Sequence, residues 1–210
     1  MKKNIVVMGA GGHAKVCIEL LRTMGENVAC CIGGPDSPPT CLYLPVLKGD
    51  ENLALLRSQG YSRLFIAIGS NKIRGRLGAL ALEQGYQLIN AISPHAVISP
   101  SARLGFGVAV MAGVVINAET RIGHLSIINT SASVDHDCQI GQVVHIAPQC
   151  ALSGNVAVGN YSFLGIGSKV IPDVNIGENV MIGAGSVVIS HIETGVTAMG
   201  VPAKRVILHP

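Results

Sequence analysis

Tryptophan is absent from this chain of 210 residues, and aromatic residues make up only 3% of it. Its core must therefore draw bulk from small aliphatic side chains, because the residues that bury the most area apiece are nearly missing. Charge is scarce too, at 13% of residues with a net charge of +3. So weak a balance, with no basic run and no basic–aromatic cluster, argues against a nucleic-acid partner. It also suggests that much of the surface is covered by copies of the same chain. No run of 18 apolar residues occurs, so no membrane span is expected. The apolar run Ile5 to Met8 is too short for a signal peptide and meets a Gly-rich turn at once, so a cytoplasmic location is expected. The six cysteines (17, 30, 31, 41, 138 and 150) lack metal-ligand spacing and read as reduced, buried thiols.

What is present divides the chain near residue 94, into units 1–93 and 94–210. The first unit alternates strand and helix signals. "NIVVMG" (4–9) reads as a buried strand, and "HAKVCIELLRTMG" (13–25) as a helix stopped by Gly25. Strands follow at 27–33, 63–69 and 86–92, and helices at 51–60 and 71–85. Residues 34–45 carry four prolines and read as loop. This βαβ order predicts a small Rossmann-like domain with a parallel sheet. "GAGGHA" (9–14) links its first strand and helix, so its backbone N–H groups can hold a phosphate. A dinucleotide site would need an acid at the end of the second strand, where Gly33 and Gly34 stand, and it would need a second mononucleotide-binding half.

From Ile98 onward the period changes. Every sixth residue from 98 to 188 is Ile, Leu or Val, sixteen in succession. At about 30% usage of these types, chance would give such a run with a probability on the order of 10⁻⁸. The residue four places after each is nearly always small or β-branched. A hexad repeat of this kind predicts a β-helix with three hexads to each triangular coil, so that equivalent residues of successive coils stack. The rod's flat apolar sides favour a cyclic trimer.

Within the repeat, "SVDHDCQIG" (133–141) places Asp135, His136 and Asp137 in succession. His136 falls between two inward positions, Val134 and Cys138, and is expected to project outward. An imidazole beside a carboxylate is suited to removing a proton from an attacking amine; a solvated polar turn is the plainer alternative. Asp135 reads as such a turn residue. Cys138 invites a covalent route, but it occupies the small inward position where other hexads carry Ser, Ala or Val.

"GAGGHAKV" (9–16), "AIGSNKIR" (67–74), "VVINAETRIG" (114–123), "INTSASVDHDCQIG" (128–141), "FLGIGSKVIP" (163–172) and "GVPAKRV" (200–206) span nearly the whole chain. In that order they resemble the bacterial nucleotide-sugar N-acetyltransferases of the sialic-acid O-acetyltransferase-like, hexapeptide-repeat family. The resemblance implies a left-handed parallel β-helix and a homotrimer. It implies transfer from acetyl-CoA, without a metal, to the C4 amine of a nucleotide-linked 4-amino-4,6-dideoxy sugar that feeds surface glycan synthesis. It makes His136 the base with Asp137 beside it, where the family carries Glu. It puts His145, Ile166 and Ala184 on the acetyl-CoA path, and Gly11, Gly12, His13, Gly69 and Asn71 at the nucleotide sugar. Lys204 and Arg205 are read either as partners of the coenzyme phosphates or as solvated charges.

Three rivals remain. One is O-acetylation of a sialic-acid-type sugar on the same fold. A zinc enzyme of the γ-carbonic-anhydrase type needs three converging histidines, and His124, His136 and His145 fall in different hexad phases. The third is a binding-only scaffold or sensor.

Overall fold

The computed structural model describes residues 4–206. The chain divides into two compact units between residues 94 and 95.

In the first unit, β1 (Ile5–Met8) is buried on both faces, as a continuous apolar run predicts for a central parallel strand. α1 (Gly12–Thr23) turns Ala14, Cys17, Ile18 and Leu21 inward at helical spacing. It stops at Gly25, whose φ of 75° suits the left-handed cap; there the N–H of Glu26 bonds back to the Leu21 carbonyl at 3.0 Å. β2 (Val28–Gly33) pairs parallel with β1. The segment read as loop holds β3 (Thr40–Cys41), antiparallel to β4 (Leu44–Lys48), which extends the sheet beside β2. Its turn residues, Leu42 and Tyr43, both have positive φ, a role usually signalled by Asn or Gly. α2 (Asn52–Ser58), β5 (Arg63–Ile66), α3 (Asn71–Glu83) and β6 (Gln87–Leu88) complete the unit's helices and its six-stranded sheet. The sheet order is β3-β4-β2-β1-β5-β6.

The chain leaves β1 for β2 on one side and later returns to β5 on the other. The carboxyl ends of β1 and β5 therefore flank a topological switch point, where open α/β sheets take their ligands. The hairpin tip at residues 42–43 lies at the opposite edge of the sheet, beside the start of β2.

In the second unit, two-residue strands recur at every hexad from Val97–Ile98 to Val187–Val188. Each second residue is one of the sixteen aliphatics. Fourteen of them, from Val110 to Val188, are buried. Each strand pairs in parallel with the strand three hexads on, as Val115 with Ser133 and Ser133 with Ala151, which makes a three-sided β-helix. The small corner residues have a polar task. Thr120 Oγ1 donates to the Asp135 carbonyl at 2.6 Å and accepts from the N–H of Cys138 at 3.2 Å. Ser126 and Ser162 repeat this bridge, pinning each turn to the neighbouring coil. These hydroxyls are fully buried and satisfied, so they cost little in a narrow apolar prism.

Every sixth residue from 107 to 185 has φ near +60°, including Val143 and Leu125. The coil imposes a left-handed turn even on residues that lose about 1–2 kcal/mol by adopting it. No helix among the described residues is long and apolar enough to cross a membrane.

Candidate active site

His136 lies on the vertex that follows the strand Ser133–Val134. Asp137 takes the left-handed position of that turn, with φ of 60°, which Asp tolerates better than most residues. Conformation alone therefore explains an Asp at 137. It does not explain the contact: His136 Nδ1 and Asp137 Oδ2 are 2.7 Å apart. Both side chains are more than half exposed, at 58% and 59%. The shorter Asp thus reaches the imidazole. It holds the Nδ1 proton, and so leaves Nε2 as the lone-pair nitrogen. The His136 pKa is raised, first by this hydrogen bond and then by the charges of Asp135, Asp137 and Asp173.

Asp135 is more than a solvated turn residue. Its Oδ1 accepts from Asn117 Nδ2 at 2.7 Å and from the His136 N–H at 2.8 Å. These bonds hold its carboxyl below the usual range. With the Thr120 hydroxyl on the Asp135 carbonyl, they fix the backbone that carries the imidazole. Cys138 is wholly buried, and its thiol donates to the Ser153 carbonyl at 3.2 Å. Burial pushes its pKa up, which disfavours the thiolate that a covalent route requires.

A groove of about 450 Å³ runs along a different vertex. His145, Ile166 and Ala184 all line it, together with Asn129, Phe163 and Met181. His145 is nearly buried, edge-on to Phe163 with ring centroids 5.1 Å apart, and its Nε2 lies 3.1 Å from Asn129 Nδ2. The Asn129 carbonyl oxygen accepts from the N–H of Thr130 at 2.8 Å, so the amide turns its NH₂ to the ring. Asn129 was not singled out by the sequence reading. Its signal was its place one full coil before Ala147, on the lining column. Lys204 and Arg205 lie on a short exposed strand antiparallel to Thr197–Met199.

In the first unit, the switch-point crevice carries Gly11, Gly12 and His13 at the start of α1, and Gly69 and Asn71 at the start of α3. Gly9 is required by its φ of 127° and by the Ala67 carbonyl oxygen, 2.5 Å from where a Cβ would be. Gly11, Gly12 and Gly69 have no such reason, since a Cβ at each would meet open space. Neither helix has a side-chain cap hydrogen bond or an acid in its first turn, so nothing in that turn would repel an anion at the N-terminus. Burial pulls the His13 imidazole down to about 4, with the charge of Arg74 adding to the shift. His13 Nε2 is 3.5 Å from Cys17 Sγ. Arg74 is almost fully buried. It donates to the carbonyls of Ile68 and Gly69, both at 2.9 Å, and to Asn71 Oδ1 at 2.7 Å, which orders the whole 68–71 loop. The sequence reading missed Arg74. The available signal was an arginine in helical register with Leu77, Gly78 and Ala81, the buried face of α3.

His124 and His191 serve as turn braces. Each accepts a backbone N–H at 3.0 Å, from Phe106 and Asn175 respectively, and His124 stacks on the Phe106 ring. Among the described residues, no three His, Cys, Asp or Glu side chains are grouped to hold a metal ion. All six thiols are free and buried.

Residues 155–190 match the family described as bacterial transferase hexapeptide (six repeats), and residues 4–78 match the PglD N-terminal domain. The class is thus a hexapeptide-repeat transferase, and the β-helix is left-handed. Solved structures narrow this further. PerB from Caulobacter crescentus, in complex with CoA and GDP-perosamine, is 53% identical over 98% of both chains, with a TM-score of 0.94. Variants of that organism's GDP-perosamine N-acetyltransferase, with one histidine replaced by Asn or Ala, match at 52% identity over 98% of this chain and 97% of theirs, with a TM-score of 0.95. The acetyltransferase domain of PglB from Neisseria gonorrhoeae, in complex with acetyl coenzyme A, is 35% identical over 98% of this chain and 100% of that one, with a TM-score of 0.91. The chain belongs to the bacterial nucleotide amino-sugar N-acetyltransferases of the hexapeptide-repeat family.

Proposed function

We propose that the protein transfers the acetyl group of acetyl-CoA to the C4 amine of a nucleotide-linked 4-amino-4,6-dideoxy sugar, with His136 as general base. The observation that carries this is the 2.7 Å contact between His136 and Asp137 on an exposed vertex, which leaves Nε2 open to a substrate. The neutral amine attacks the thioester carbonyl and forms the C–N bond. Nε2 takes the amine proton, Asp137 stabilises the imidazolium, the C–S bond breaks, and CoA leaves as its thiolate. General-base help of this kind is worth about 10²–10⁴ in rate.

The groove lined by His145, Ile166 and Ala184 receives the pantetheine arm, whose apolar stretch suits its lining. The crevice at Gly11, Gly12, His13, Gly69 and Asn71 receives the sugar diphosphate. GDP is the first carrier to try, given the likeness to an enzyme solved with GDP-perosamine. Base and groove lie on different vertices of the β-helix, the groove running over several coils, so one protomer does not bring them together. This supports a homotrimer, in which a neighbour supplies the second vertex. The apolar exposed residues Ile166, Ile171 and Ile189 give such an assembly surface to bury. We read the first unit as the nucleotide-sugar domain, the second as the acetyltransferase domain, and the product as a precursor of surface glycan.

The test is acetyl-CoA-dependent release of CoA over GDP-, UDP- and dTDP-linked 4-amino-4,6-dideoxy sugars, with His136→Ala beside wild type. The expected result is turnover of one amino sugar, lowered about 10²-fold or more in the variant. Wild-type rates in His136→Ala would refute the base assignment. Turnover of sialic-acid hydroxyls alone would replace N- with O-acetylation.

A further inference from the structure

The imidazole of His136 rests on the backbone of the next coil. Gly154 follows it by one full coil, in a register set by Ser133 with Ala151 and Val134 with Leu152, and the N–H of Asn155 bonds to the His136 carbonyl at 2.9 Å. A Cβ built on Gly154 would lie 2.5 Å from His136 Cε1, 2.6 Å from Nε2 and 3.1 Å from Nδ1. The ring therefore fills the space that any other residue at 154 would claim.

The backbone does not ask for this glycine. The left-handed position of its turn falls on Asn155, with φ of 59°. The same place is held by Ala118 two coils before, by His136 itself one coil before and by Pro172 one coil after, so the vertex admits a Cβ there. Gly123 and Gly159 differ, because a Cβ on either would strike backbone atoms of the next coil at 2.5 Å. At Gly154 the three nearest atoms are all from one imidazole. We propose that Gly154 is a positioning residue for His136: its missing side chain lets the ring lie down on the coil in the one orientation that keeps Nδ1 on Asp137 and Nε2 open.

A methyl at 154 leaves the coil intact and pushes the ring away. The 2.7 Å contact with Asp137 is then lost, while the charges of Asp135 and Asp173 still favour the imidazolium. This rests on His136 being the base, so the test separates the two claims. Gly154→Ala, His136→Ala and the double variant are compared in the CoA-release assay, and the His136 ring is titrated by NMR in Gly154→Ala and wild type. Gly154→Ala is expected to lower kcat by about 10- to 100-fold, the scale on which a misplaced catalytic group costs rate. KM for acetyl-CoA stays unchanged, the melting temperature stays within a few degrees, and the His136 ring titrates at lower pH. In the His136→Ala background the substitution is silent.

Unchanged kcat with an unchanged ring titration would overturn the proposal. So would an equal loss in the His136→Ala background, or a melting temperature lowered by about 10 °C or more, which would mean that the methyl strikes the fold. Were His136→Ala fully active, the base assignment would fail, and the ring titration alone would still decide whether Gly154 positions the ring.

Discussion

His13 ties the switch-point crevice of the first unit to acid stability, and His13→Gln isolates the effect. Burial, aided by the charge of Arg74, pulls the imidazole from its ordinary 6.5 down to about 4. Between those values the unfolded chain binds a proton that the folded chain refuses. Stability therefore falls as the pH drops below 6.5, and the loss is complete below about 4. The full span is worth about 3 kcal/mol, and the part between pH 7 and pH 5 about 2 kcal/mol. Glutamine keeps a similar size and cannot be charged, so His13→Gln should lack this loss. Urea unfolding followed at the backbone amides of β1, at pH 7 and pH 5, measures it. Wild type should lose about 2 kcal/mol more than the variant over that interval. Equal losses would refute the reasoning, because they would mean that the imidazole takes its proton within the folded domain. A diphosphate bound in the crevice favours the imidazolium, so saturating GDP should shrink the wild-type loss and leave the variant unaffected.

Two further outcomes follow from the base vertex. Asp137→Asn removes the largest cause of the raised His136 pKa, so the rising acid limb of the kcat profile should move to lower pH while the plateau falls about 10-fold or more. An acid limb that stayed in place would show that Asp137 does not tune the ring. Cys138→Ala should keep kcat within about threefold and cost roughly 1 kcal/mol by emptying a small buried volume; an inactive, folded variant would revive a covalent route.

Much of the site was legible along the chain because its logic is local. His136 and Asp137 are neighbours, and the inward register of Val134 and Cys138 leaves the imidazole only the outer surface. The β3–β4 hairpin was not legible, because Leu42 and Tyr43 hold turn positions without the Asn or Gly that usually marks them. Nor was the role of Asp135, whose partner Asn117 is one full coil away. For Arg74 only its helical register with Leu77 and Ala81 was legible; its bonds to the 68–71 loop form once α3 is packed against the sheet.

By itself, then, the sequence determined the two-part order, the hexad period and the outward place of the His136–Asp137 pair. Each of these is a matter of residue type at short, regular spacing, and a regular backbone turns such spacing directly into direction. Tertiary structure alone decided which groups meet. Coil-on-coil stacking set the His136 ring on Gly154 and Asn117 on Asp135. Those contacts depend on how coils and sheets close in three dimensions, which no short window of the chain contains.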